Sequence, residues 1–113
     1  MSGIYVALDL EATGMDPERD EIIEIAAIKF RNDRVLDRWE SLVRPRGPIP
    51  FNITSLTGIG AKDVRRAPIF PVVAPRLRDF VRNHPIVGQS PEFDIQMLAG
   101  AGLRLQNPLY DTF

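Results

Sequence analysis

The amino-acid sequence predicts an α/β fold: a three-stranded antiparallel meander, then helices that pack on it, and two further short strands. Three patterns lead there. Side chains alternate faces through residues 4–11, β-branched and apolar residues run almost unbroken through residues 21–30, and apolar residues recur at helical spacing from Phe70 to Val81.

In the first strand Ile4, Val6, Leu8 and Leu10 form one aliphatic face, while Tyr5, Ala7, Asp9 and Glu11 share the other. The Gly, Pro and Asp of residues 12–20 read as a loop. Residues 21–30 suit a strand covered on both sides, interrupted only by Glu24. After a tight turn at 31–33, residues 34–44 read as a more exposed strand with Val35, Trp39 and Val43 on one face. Prolines 45, 48 and 50 cannot donate to a ladder and mark the crossing from sheet to helix. A short helix over 51–59 should end at Gly58, with another turn near 62–66. In the following helix Pro75 removes a hydrogen bond, so its regular part should start near Ala74 or kink there. Residues 85–88 read as a short buried strand. Residues 90–102 read as a helix that Ser90 caps, Pro91 opens and Gly100 and Gly102 stop, and 108–113 begin one more strand.

Composition bounds the rest. The 113 residues suffice for one domain, 1–113, and 44% apolar with 26% charged residues is ordinary for a globular fold. No apolar run approaches the ~20 residues of a membrane helix, and the amino terminus lacks the layout of a secretory signal, so a soluble, cytoplasmic protein with no membrane partner is expected. With no cysteine and a single histidine, any metal must be held by oxygen. A net charge of −1 offers no global field for nucleic acid, and the basic residues between Arg44 and Arg82 read as solvated helix and loop charges rather than a phosphate track.

The residues that call for explanation are acids. Asp9 and Glu11 stand roughly 7 Å apart on one strand face, close enough for each to raise the pKa of the other unless a cation lies between them. Asp94 lies three and four residues before Met97 and Leu98 and so faces inward with them. Alone it would also serve the helix dipole, as Glu92 does. Three carboxylates converging on one point call for a hard divalent ion, Mg²⁺ or Mn²⁺ rather than zinc.

The ordered set of motifs resembles the DEDD exonucleases, the RNase T and polymerase-proofreading group. ALDLEATGMDPERDEIIEIAAIKF is similar to their first motif and IVGQSPEFDIQML to their second, with LTGI, AP followed by Phe70, and YDTF in the same order. The resemblance implies an RNase H-like mixed sheet, its first three strands antiparallel, with flanking helices. It further implies metal-dependent, two-ion 3′–5′ hydrolysis of DNA or RNA single-stranded ends. Asp9 would contact both metals, and Glu11 and Asp94 one each or through water. Thr13 and Gly14 would approach the terminal nucleotide and Met15 its base, with Leu10, Ser90 and Phe93 completing the substrate contacts.

Two departures qualify that reading. Gln89 and Ser90 stand where the family commonly has His-Asn, and the third motif, with the fourth acid and a His or Tyr base, would follow residue 113. His84 and Asp111 do not fill these roles. The domain is therefore expected to be C-terminally incomplete, feeble in chemistry alone, and part of a longer polypeptide with a polymerase or helicase subunit or downstream domain as partner. The uncovered sheet face would invite self-association. The alternative function is a non-catalytic module that binds nucleic acid or protein; a small-molecule phosphatase is the third.

Overall fold

The computed structural model describes residues 3–112. Five strands form one sheet in the order β3-β2-β1-β4-β5: β1 (Ile4–Ala12), β2 (Ile22–Arg31), β3 (Arg34–Leu42), β4 (Ile86–Gly88) and β5 (Leu109–Asp111). The β1–β2 and β2–β3 pairs are antiparallel, and β1–β4 and β4–β5 are parallel, so the sheet is mixed. Four helices complete the chain: α1 (Phe51–Thr57), α2 (Ala61–Val64), α3 (Phe70–Val81) and α4 (Pro91–Ala101).

Alternation in β1 decides what the two sheet faces do. Val6, Leu8 and Leu10 stand opposite Lys29, Ala27 and Ile25 and join the main core with Val73, Leu77 and Phe80 of α3 and Met97 and Leu98 of α4. Each large aliphatic side chain buried there contributes about 1.5–3 kcal/mol. Lys29 enters this face through its stem, with its ammonium 4.5 Å from the Phe80 ring centroid. Tyr5, Ala7, Asp9 and Glu11 lie on the other face beside Phe30, Ile28, Ala26 and Glu24. A bulge opposite Glu11 and Ala12 sends Ile22 into the main core and Ile23 into a second cluster with Ile59 and Val64, under α1 and α2.

Several expectations change. β3 ends at Leu42, and the register skips Leu36, so Val35 opposes Phe30 while Asp37 opposes Lys29. This bulge turns Val35 to the face away from Trp39, leaving Val35 exposed and Val43 buried. β2 is covered on one side only, since Ala26, Ile28 and Phe30 remain partly open. Pro75 neither delays nor breaks α3, which runs from Phe70: the carbonyl left without a donor is that of Pro71, and both prolines lie at the surface within reach of water. Gly58 does close α1, at φ 79°.

In α4, Ser90 makes no side-chain cap and takes φ 52°, ψ 58°, while Gly102 ends the helix at φ 116°. Gly100 does not stop the helix. It makes room for the β1–β2 loop, because a Cβ there would overlap the Pro17 carbonyl oxygen. Pro91, Asp94, Met97 and Leu98 are the buried residues of this helix, and Ala101 at its end is exposed.

Candidate functional site: a row of carboxylates

The open face of the sheet carries the acids at the carboxyl end of β1. Asp9 stands opposite Ala26 and Glu11 opposite Glu24, so a cross-strand pair of like charges extends the row. Asp94 comes in from the first turn of α4 and is 8% exposed. Gly88 lies beside it and lets β4 sit close to β1: a Cβ at that position would be crowded at 3.0 Å from the Leu8 carbonyl oxygen and in ordinary contact, at 3.8 Å, with Asp94 Oδ2.

The electrostatics show how closely the acids are placed. Burial, with the Asp9 charge adding to it, pushes the Asp94 carboxyl up to about 7. Partial burial, then Asp9, then Glu24 raise Glu11. Asp9 therefore acts on two acids, Glu11 and Asp94, that are 83 positions apart in the chain. Among the described residues, no side-chain hydrogen bond or ion pair satisfies Asp9, Glu11, Glu24 or Asp94.

The expected convergence on a single point is not what these side chains adopt. Among the described residues, no three acidic or histidine side chains are gathered tightly enough to hold a metal ion as they stand. Like charges on the open sheet face keep their oxygens apart, and Asp9 is turned to solvent. The donor set is nonetheless carboxylate oxygen throughout, which fits a hard divalent ion. Glu24 belongs to this row, and the sequence carried a signal for it: an acid inside an otherwise apolar strand.

The neighbouring loop is built around a residue that pattern reading passed over, Asp20. Thr13 Oγ1 donates to Asp20 Oδ1 at 3.0 Å and accepts from the Glu21 N–H at 2.9 Å. The Asp16 N–H donates to Asp20 Oδ2 at 2.9 Å. Gly14 lies so close to that carboxylate that a Cβ would overlap it. The Thr13 proton is thus committed within the loop, and Met15, 79% exposed, projects from it. The side chains of Leu10 and Phe93 pack on the main core, and Ser90 is exposed beside Asp94's helix turn.

The remaining titratable candidates lie elsewhere. His84 precedes β4, where burial, then Lys29 and Arg82, lower its pKa. Tyr110 packs edge-on to Tyr5 with centroids 6.1 Å apart. Asp111 stands in register with Gly88 on β5.

Comparison with known proteins agrees with this architecture. Residues 6–109 match the exonuclease family typified by RNase T. The PolC-type DNA polymerase III of Caldanaerobacter subterraneus subsp. tengcongensis is 35% identical over 116 residues, taking in 99% of this chain and 8% of that protein. The DNA polymerase III subunit epsilon of Aquifex aeolicus is 35% identical over 98 residues, 87% of this chain and 48% of the subunit. The chain therefore spans less than half the length of either relative. A zinc-bound complex of E. coli exonuclease I with single-stranded DNA superimposes with a TM-score of 0.83 at 19% identity, over 97% of this chain and 28% of that one. The fold is thus the RNase H-like exonuclease fold, mixed sheet and flanking helices included.

Proposed function

The chain belongs to the exonuclease family typified by RNase T, and from that premise we propose that it contributes the carboxylates of a 3′–5′ exonuclease acting on single-stranded nucleic-acid ends. The observation that carries the proposal is the row Asp94–Asp9–Glu11: three acids from a strand and a helix, of which Glu11 and Asp94 are raised in pKa by burial and by the charge of Asp9, and none is satisfied by a cation among the described residues. Removing that repulsion is a reason for the acids to close on Mg²⁺ or Mn²⁺, with Asp9, placed between the other two, shared by both ions. A bound pair of such ions would make a hydroxide at neutral pH and stabilise the leaving 3′ oxygen.

The chain's own residues would position the strand end. Met15, projecting from the loop beside the acids, offers an apolar surface to the terminal base. With the Thr13 hydroxyl proton held by Asp20, the contact to a 3′ hydroxyl falls to the backbone of Thr13 and Gly14, the glycine being what lets the loop close on the Asp20 carboxylate. Ser90 flanks the other side, while Leu10 and Phe93 act by holding Asp9, Glu11 and Asp94 from the core behind. The DNA polymerase III relatives support DNA replication, within a larger polymerase assembly, as the setting we propose, with the cytoplasm as its place. No helix among the described residues is long and apolar enough to cross a membrane.

A second reading, a nucleic-acid- or protein-binding module without catalysis, is favoured by one fact. The only histidine, His84, and both tyrosines lie toward the other end of β1, so no His or Tyr of residues 1–113 stands by the acids as a general base. On the first reading the base and a fourth acid come from outside this stretch, as the part of a longer exonuclease domain that completes it. The deciding experiment measures release of a 3′ label from an oligonucleotide by the chain within its longer polypeptide. Release that requires a divalent ion and is abolished by Asp9→Ala supports the nuclease; release indifferent to chelator, or none at all, ends it.

A further inference from the structure

At the end of the sheet away from the acids, the last turn of α3 and the connection between α4 and β5 bound a depression of about 360 Å³. Arg78, Arg82 and Arg104 line it with the amides of Asn83 and Gln106, and no carboxylate does. Among the described residues none of the three guanidiniums enters an ion pair. A cation in the last turn of a helix complements the helix dipole, which accounts for Arg78. Arg104 lies outside α3, in the connection that follows α4.

Arg82 carries more weight. It adopts φ 47°, ψ −125°, a costly conformation for a residue with a Cβ. Asn107 holds it there, its Nδ2 donating to the carbonyls of Arg82 at 2.9 Å and His84 at 2.7 Å. The same bridge ties the segment after α3 to the segment before β5, so Arg82 and Arg104 are kept at a set spacing.

A second depression of about 350 Å³ adjoins the first, sharing Asn83 and Pro108, and is walled by Tyr5, His84 and Tyr110. Tyr5 is braced by stacking on Phe30 at 5.8 Å, and Tyr110 packs edge-on to Tyr5 while remaining 53% exposed. Guanidiniums without acid partners beside a braced, half-open aromatic ring suit a ligand that presents phosphates and flat bases together, which an acidic peptide does not.

We infer that these adjoining depressions form a second contact for single-stranded nucleic acid, in which Arg78, Arg82 and Arg104 take backbone phosphates and Tyr110 stacks on a base. The contact is remote from the carboxylates: four steps along β1, roughly 13 Å, take the strand from Tyr5 to Asp9. It rests on the exonuclease reading only for the class of ligand.

The test is fluorescence anisotropy of a labelled 12-nucleotide single strand titrated with the full chain in EDTA, where no metal-dependent cleavage competes. Arg82→Gln/Arg104→Gln should weaken binding at least ten-fold and flatten the dependence of log affinity on log salt by about 1.4, two phosphates at about 0.7 each. Tyr110→Ala should weaken it about five-fold or more, with Tyr110→Phe restoring it. Arg34→Gln/Arg38→Gln, an equal charge change on β3, should cost less than two-fold. Should the Arg82 variant fold poorly, Arg78→Gln/Arg104→Gln serves in its place. Unchanged affinity and salt slope in the arginine variants, no effect of Tyr110→Ala, or an equal loss in the β3 control overturns the inference, as does a chain that takes polyglutamate as well as the oligonucleotide. Cleavage without Arg82-dependent binding sinks this inference alone, whereas such binding without metal-dependent cleavage sinks the exonuclease reading alone.

Discussion

Replacing Asp94 by asparagine removes the charge at the most buried point of the acidic row while keeping the side chain's shape. Burial and Asp9 raise the carboxyl from 3.8 to about 7, so the folded state holds this proton more tightly than the unfolded chain does. Stability from this group is therefore greatest in mild acid. It declines as pH rises from about 4 to about 7, and is fully lost above that. Three pKa units at about 1.4 kcal/mol each set a ceiling of roughly 4 kcal/mol, and because Asp9 is exposed and its charge screened, about 2–4 kcal/mol is expected. Urea unfolding in EDTA at pH 5 and pH 8 reads it. Glu11, also raised, works in the same direction, and His84, whose pKa is lowered, works in the opposite one, so the informative quantity is the difference between parent and variant. Only about two of those pKa units fall between pH 5 and pH 8, so the parent should lose about 1–3 kcal/mol more than Asp94→Asn over that interval, and the variant should be the more stable of the two at pH 8. Equal losses would mean that Asp94 is not held in a charge-hostile place, and the account of the site would fail with it.

Three other outcomes follow from the same geometry. Adding Mg²⁺ or Mn²⁺ at pH 8 should raise the thermal midpoint of the parent chain, by a free energy of about 2.7 kcal/mol at a hundred times the dissociation constant, and Asp9→Asn or Asp94→Asn should remove most of that gain in a thermal-shift titration. Gly14→Ala, which puts a methyl group into the Asp20 carboxylate, should cost about 1–3 kcal/mol and disturb the loop that carries Met15; amide exchange at Asp16 and Glu21 would report the disruption, and a silent exchange profile would contradict it. The open sheet face, with Tyr5, Ile28 and Phe30 partly buried and Val35 exposed, should drive self-association at high concentration, and Ile28→Glu should abolish it in sedimentation; a chain monomeric at all concentrations counts against that.

The element order and the placing of the acids were readable from the sequence, because both depend on short-range rules. Two-residue alternation put Asp9 and Glu11 on one face and the core aliphatics on the other, and the spacing from Asp94 to Met97 and Leu98 turned that acid inward. Glycine closed α1 where a left-handed residue was needed. These are properties of neighbours a few bonds apart, and the local backbone obeys them whatever the rest of the chain does.

Tertiary structure decided the rest, because it turned on which segments meet. A skipped residue at Leu36 moved Val35 to the opposite face, and no local pattern announces where a partner strand will slip. Gly100 reads as a helix stop until the Pro17 carbonyl is seen lying against it. Asp20 reads as a loop acid until Thr13, Gly14 and Asp16 are found gathered on it. The charge state of Asp94 likewise belongs to the folded chain, since burial and a strand acid 85 positions away set it. Sequence determines which faces and ends exist, and long-range contact determines what each of them touches, because burial and Coulomb energy depend on distance in space.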